Sequence, residues 1–277
     1  MIQIKQSIIL VPLLALVLGA FVACDEEPQP IKPPIVKVTT PLDYISEENL
    51  TLEGDPAKSF FTYSEALTAV PQGTHVGSRY EWAGIIPLVT NLEEPTLTFQ
   101  VASEHLAVEE AIQIGDTKAT YSSDYKNMGN GISYALRLAP AKAAAEEGFP
   151  PAQDKKLLTA YRYQVSEGKE GSLLTVTVRH LGESFDGTIE EVAQESFWTQ
   201  DKQDDVERRF PFAGAVDDGN QVYVGTDGFY WTSTPDGDTS AYYVWIGMGA
   251  AGIFDDGKLV ENYLQMGHSV RPFADHL

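Results

Sequence analysis

One stretch near the C-terminal end carries side chains suited to holding a ligand. In Ala241-Tyr242-Tyr243-Val244-Trp245-Ile246 both alternating sets of a strand are apolar. Such a strand is either buried on both faces, or it presents Tyr243 and Trp245 as an exposed aromatic patch. Asp236 and Asp238 lie a few residues upstream. Aromatic rings beside hydrogen-bonding oxygens suit the faces and hydroxyls of a sugar, or a peptide. Tyr243, Trp245, Asp236 and Asp238 are therefore the candidate ligand-binding residues.

Other spacings that could do chemistry fail on context. Gly247-Met248-Gly249-Ala250-Ala251-Gly252 fits the dinucleotide pattern, but Ile253-Phe254-Asp255-Asp256-Gly257 follows it and does not start a helix. It reads as a glycine-rich hairpin or loop. Ser166-Glu167-Gly168-Lys169 fits S-x-x-K, but it sits in a polar turn rather than at a helix start. His180 shares a face with Leu174, Val176 and Val178 by alternation, as a core or edge histidine does. His75, His105, His268 and His276 show no metal spacing. Acidic pairs recur at Asp204-Asp205, Asp217-Asp218 and Asp255-Asp256. Calcium wants several oxygens on flexible loops and could use such turns. Surface acidity that keeps a protein dispersed is their commoner meaning, and no other cofactor and no catalytic residue is expected.

Cys24 is the only cysteine. Lys5 precedes an apolar run of 16 residues, Ile8 to Ala23, too short for a membrane span and fitting the core of a secretory signal. The run ends Phe21-Val22-Ala23-Cys24, which resembles the lipobox of bacterial lipoproteins, with Phe21 where leucine is usual. The resemblance implies lipid on Cys24, cleavage of residues 1–23, and a membrane partner held through acyl chains; two or three chains hold almost permanently. Asp25-Glu26-Glu27 resembles the surface-export signal of Bacteroidota lipoproteins. That implies the outer membrane, with the protein facing the cell exterior. Pro28, Pro30, Pro33 and Pro34 make residues 24–40 an extended, semi-rigid tether.

Against 19 Lys and Arg stand 40 Asp and Glu, a net charge of −21. Such a chain has no surplus cations to displace counterions from phosphates, which argues against a nucleic-acid partner. It also argues against docking on anionic lipid through a basic patch.

The elements that must position these residues follow from periodicity. Leu97, Phe99 and Val101 alternate with Thr98 and Gln100. Turn signals at Gly54-Asp55-Pro56, Pro71-Gln72-Gly73 and Gly115-Asp116 punctuate 41–125. That region reads as a β-rich, sandwich-like domain, with 103–112 ambiguous between helix and strand. In 126–277, Tyr134-Leu136-Leu138 and Leu174-Val176-Val178 read as strands with one buried face. Pro140 to Glu147 reads as a weak helical insertion. Thr188-Ile189-Glu190-Glu191 is a capping box predicting a helix to about Trp198. The fold class expected is α+β.

One succession of motifs runs from Gly131-Ile132-Ser133-Tyr134-Ala135-Leu136-Arg137-Leu138 through Ala160-Tyr161-Arg162-Tyr163, Val178-Arg179-His180-Leu181-Gly182, Phe197-Trp198 and Arg209-Phe210-Pro211-Phe212-Ala213-Gly214. It ends in Gly228-Phe229-Tyr230-Trp231-Thr232-Ser233-Thr234 and Gly267-His268-Ser269-Val270-Arg271-Pro272. This resembles the Fibrobacter-type major paralogous domain of Bacteroidota surface and fimbrillin-like lipoproteins. The resemblance implies that 126–277 is an irregular C-type-lectin-like α+β module whose loops bind ligands. Trp231 and Arg271 read as scaffold, with Arg271 reaching a carboxylate and several loop carbonyls. The expectation is a non-enzymatic surface lipoprotein that binds a glycan or protein ligand as an adhesin. Alternatives are a fimbrial accessory or assembly subunit partnering other fimbrial subunits, and an envelope hydrolase with a site built from separated loops.

Overall fold

A computed structural model describes residues 40–52, 58–88, 95–139, 148–168, 171–200, 205–254 and 263–275. Its elements in order are α1 (Tyr63–Ala69), β1 (Thr74–Val76), α2 (Arg79–Ala83), β2 (Leu97–Thr98), β3 (Leu106–Ile114), β4 (Thr117–Gly129), β5 (Ile132–Ala139), β6 (Thr159–Gly168) and β7 (Gly171–His180). There follow α3 (Ile189–Val192), α4 (Glu195–Thr199), β8 (Asp205–Pro211), β9 (Ala215–Asp217), β10 (Asn220–Val222), β11 (Asp227–Asp236), β12 (Ser240–Gly247), β13 (Ala250–Phe254) and β14 (Pro272–Ala274).

β3 to β8 form a six-stranded antiparallel meander in chain order. A four-stranded sheet runs β11-β12-β13-β2, and β1-β14 and β9-β10 are two-stranded ribbons. The short loops follow from their residues. Asn130 and Gly131, with φ of 55° and 79°, make the β4–β5 loop of two left-handed residues that a tight hairpin requires.

The core lies between the two large sheets, and α2 is buried in it. Trp82 packs on Phe210 of β8, Tyr230 of β11 and Phe273 of β14, with ring centroids 5.3–5.8 Å apart. A one-turn helix leaves its last carbonyls without intrahelical donors. Here the meander supplies them: Arg137 Nη1 donates to Ala83 O at 2.5 Å, Tyr161 Oη to Gly84 O at 2.8 Å and Tyr163 Oη to Ile85 O at 2.7 Å. Burial pushes the Tyr161 phenol up to about 12, so it stays a donor at neutral pH.

The expected α+β class is corrected: 51% of the described residues are strand and 15% helix, and the architecture is mostly β. The helix expected over 188–198 shows why. It breaks into α3 and α4, and Thr188 makes no side-chain cap. Trp198 Nε1 donates to Val192 O at 2.8 Å, occupying the acceptor that a continuing helix would give to residue 196. The buried indole wins over the helical ladder.

The expected boundary at 125/126 falls inside β4, and β2 and β3 belong to sheets built mainly from later residues. Val38–Leu277 clusters as one compact unit. Of the expected 97–101 strand only Leu97–Thr98 pairs, and Val101 is 69% exposed. The ambiguous 103–112 stretch resolves into β3 from Leu106 onward. The insertion expected at 140–147 lies outside the described residues.

Candidate ligand-binding site

Strand pairing gathers several loops at one end of the two sheets. Phe212 N donates to Ser172 O and Gly225 N to Phe212 O, tying the β6–β7 hairpin to the β8–β9 and β10–β11 connections. Gly214 N donates to Asp227 O, and Phe99 N to Gly249 O in the β12–β13 turn. At this end β12 finishes with Trp245-Ile246-Gly247 opposite Asp227-Gly228-Phe229 of β11.

Alternation along β12 divides its side chains. Val244 and Ile246 are fully buried and pack with Tyr230, Ala251 and Ile253 against the main core. Tyr243 and Trp245 point to the other face and are half-buried. There they join Phe229 of β11 and Phe254 of β13. Tyr243 lies 6.1 Å from Phe229 and 6.2 Å from Phe254, while Trp245 meets Phe254 edge-on at 5.8 Å. Tyr223, 60% exposed, extends the row at 5.8 Å from Phe229. The strand is thus buried on one face and aromatic on the other.

Trp245 is held in place. Its Nε1 donates to Asp227 Oδ1 at 2.7 Å. The indole lies so close over Gly247 that a Cβ there would sit 2.5 Å from it. Any side chain at 247 would dislodge the ring, so glycine at 247 is a requirement of the patch.

The other end of this face is closed. Trp231, fully buried, donates its Nε1 to Phe61 O and stacks on His268 at 4.2 Å. Tyr63 of α1 packs edge-on against it at 5.4 Å. Burial drives the His268 pKa down to about 3, so the ring is neutral and adds to the apolar packing. Trp231 is scaffold, as its sequence context suggests. The part played by His268 was not readable, because Gly-x-Ser-Val-Arg gives no hint of an aromatic partner 37 residues upstream.

The candidates do not all meet. Asp236 pairs with Ser240 at the hairpin end of β11–β12, and Asp238 is exposed in the turn. Trp245 is five residues along β12 from Ser240, about 16 Å at the usual strand rise. Asp236 instead accepts from the Ser240 hydroxyl. The carboxylate beside Trp245 is Asp227, which no motif singled out; its signal is only its place at the start of the Gly228-to-Thr234 block. Among the described residues no three His, Cys, Asp or Glu side chains stand close enough to hold a metal ion. Cys24, Asp204, Asp255 and Asp256 lie outside the described residues.

Arg271 is buried as expected, but among the described residues it reaches no carboxylate. It donates to Asn49 Oδ1, to the carbonyls of Ser46 and Glu47, and to Arg209 O. His180 lies half-buried at the end of β7. The glycine pattern of 247–252 is the β12–β13 turn and the start of β13.

A titratable cluster lies at the β1–β14 ribbon. His75 Nε2 faces Glu81 Oε1 and Nδ1 faces Asp275 Oδ1, each at 2.9 Å. Only the imidazolium donates from both nitrogens. The bond to Glu81 raises the His75 pKa against the lowering effect of burial, and Asp275 adds to the rise. Burial of Glu81 acts upward, but His75 and the Ser78 donors outweigh it and hold the carboxyl below its ordinary value. The His75 contribution is therefore complete below about pH 6.5 and lost as pH rises through the raised value; the Glu81 contribution is complete above about 4.5 and lost on acidification. Thermal melts should show greatest stability between these limits. Because the ring is about one-third exposed, His75→Gln should lower stability at pH 6 by only ~0.2–1 kcal/mol and flatten the decline above it.

Residues 37–273 match the model of a family described as a domain of unknown function, DUF8237. No curated protein and no solved structure matches the chain.

Proposed function

We propose that this chain, which belongs to the DUF8237 family, is a lipid-anchored surface lipoprotein that binds a glycan without catalysis. The observation that carries this reading is the half-exposed row of Tyr223, Phe229, Tyr243, Trp245 and Phe254, with Trp245 locked by Asp227. Rings fixed before the ligand arrives lose little entropy on binding, and their faces complement the C–H faces of a pyranose. Asp227 Oδ2 accepts from Thr226, so polar groups stand beside the rings. The net charge of −21 favours a neutral glycan over an anionic one.

The anchor belongs to the same proposal. The apolar run before Cys24 and the proline-rich segment after it suit a body held outward from the outer membrane. Mass spectrometry of the native protein should find diacylglycerol thioether-linked to residue 24. A free thiol there would remove the anchor.

Binding is tested on a glycan array with the full chain in detergent. Trp245→Ala should weaken binding 10- to 100-fold, about 1.4–2.7 kcal/mol, with an unchanged circular dichroism spectrum. Wild-type affinity in that variant would remove the platform.

A further inference from the structure

We propose that the cleft beside the β12–β13 turn is a subsite for one neutral pyranose ring of the bound glycan; this rests on the glycan reading above. The cleft has a volume of about 320 Å³, enough for a single sugar ring. Val165 and Met248 supply apolar wall, fully buried Phe99 borders the cleft, and Gln100, Asn130 and Glu167 supply polar side chains.

The lining selects the ligand. Primary amides both donate and accept, and a carboxylate accepts, so the three polar groups match neighbouring hydroxyls, which also do both. The apolar wall matches a ring's C–H face. Among the described residues no Lys or Arg lines the cleft, so a phosphate, sulfate or uronate would meet Glu167 without a counter-charge from them. A purely apolar ligand would strip water from three polar groups and return nothing.

The walls are tied together before any ligand binds. Gly131 N donates to Phe99 O at 2.7 Å, Val165 N to Gly131 O at 2.8 Å and Phe99 N to Gly249 O at 2.8 Å. These bonds join the β4–β5 turn, β6 and the β12–β13 turn, so the cleft is preorganised. It also shares its elements with the aromatic row. Met248 is three residues from Trp245. The β6–β7 hairpin, which carries Glu167, is tied to the Tyr223 loop through Phe212, whose N–H donates to Ser172 O and whose carbonyl accepts from Gly225 N. A short oligosaccharide passing the β12–β13 turn would meet rings on one side and the cleft on the other.

The test is a titration of the full isotope-labelled chain in detergent with glucose, galactose, mannose and N-acetylglucosamine, read by amide shifts. Glucuronate and lysine serve as charged comparators. Saturable shifts at Gln100, Asn130, Gly131 and Met248 with at least one neutral sugar, and none with glucuronate, are expected. Gln100→Ala and Glu167→Ala, both at exposed positions, should each weaken those shifts several-fold and leave shifts around Trp245 in place. Shifts confined to the Trp245 side would overturn the subsite and leave the glycan reading standing. Saturation by lysine alone would make the cleft an amine site and overturn it as well. No shift anywhere with any sugar would remove both.

Discussion

Replacing Arg137 by methionine should lower folding stability by about 3–5 kcal/mol, measured by chemical denaturation. The guanidinium is 1% exposed and lies in the core between the meander and α2. Its Nε donates to Tyr125 Oη at 2.8 Å, and the same phenol donates to Glu110 Oε2 at 2.8 Å. Glu110 is itself 3.6 Å from the guanidinium. The ring of Tyr161 faces the cation at 4.8 Å. Methionine fills the volume but removes the charge opposite Glu110 and the donor to Ala83 O. The double variant Arg137→Met, Glu110→Gln should recover part of the loss, because the uncompensated carboxylate causes much of it. Equal stability of the single and double variants would show that the carboxylate is not the source.

Arg271→Lys should cost about 2–4 kcal/mol, although it keeps the charge. Arg271 is 1% exposed and spans three chain segments: residues 46–49, Arg209 on β8, and its own segment before β14. Its plane also lies over Phe210 at 4.9 Å. An ammonium has a single nitrogen and cannot reach acceptors arranged around a planar fork, so buried carbonyls lose their donor. Amide exchange should then speed up first at Ser46 and Leu50, whose amides bond to Pro272 O and Val270 O. A lysine variant as stable as the parent would mean that charge alone suffices.

The two arginines also mark how far the sequence could be read. Arg271, in a segment with a motif context, was recognisable as a buried scaffold residue bonded to loop carbonyls, but Asn49 Oδ1 stands where a carboxylate was expected. Arg137 looked like the polar member of an alternating strand, Tyr134-Ala135-Leu136-Arg137-Leu138, and so like a solvent-facing residue. β5 is central and covered on both faces: Trp198 stacks near Tyr134 on one, and α2 lies on the other. Alternation reports that two faces differ, not that one of them meets water. The same limit explains the fold-class error. Thr188 to Trp198 has helical spacing, but a four-residue turn and a buried indole satisfy the backbone better than a long helix does.

Sequence alone determined what depends on local order. It placed the sole cysteine behind an apolar run, set the charge, and marked β5, β7 and the apolar strand holding Tyr243 and Trp245, while leaving open whether both of its faces are buried. The tertiary structure alone decided that Trp245 rests on Asp227 while Asp236 lies at the far end of the hairpin. It also decided that residues 97–98 and 106–114 complete sheets made by later strands. The reason is that periodicity records each side chain's face, whereas register and sheet partners are set by contacts between residues far apart in the chain.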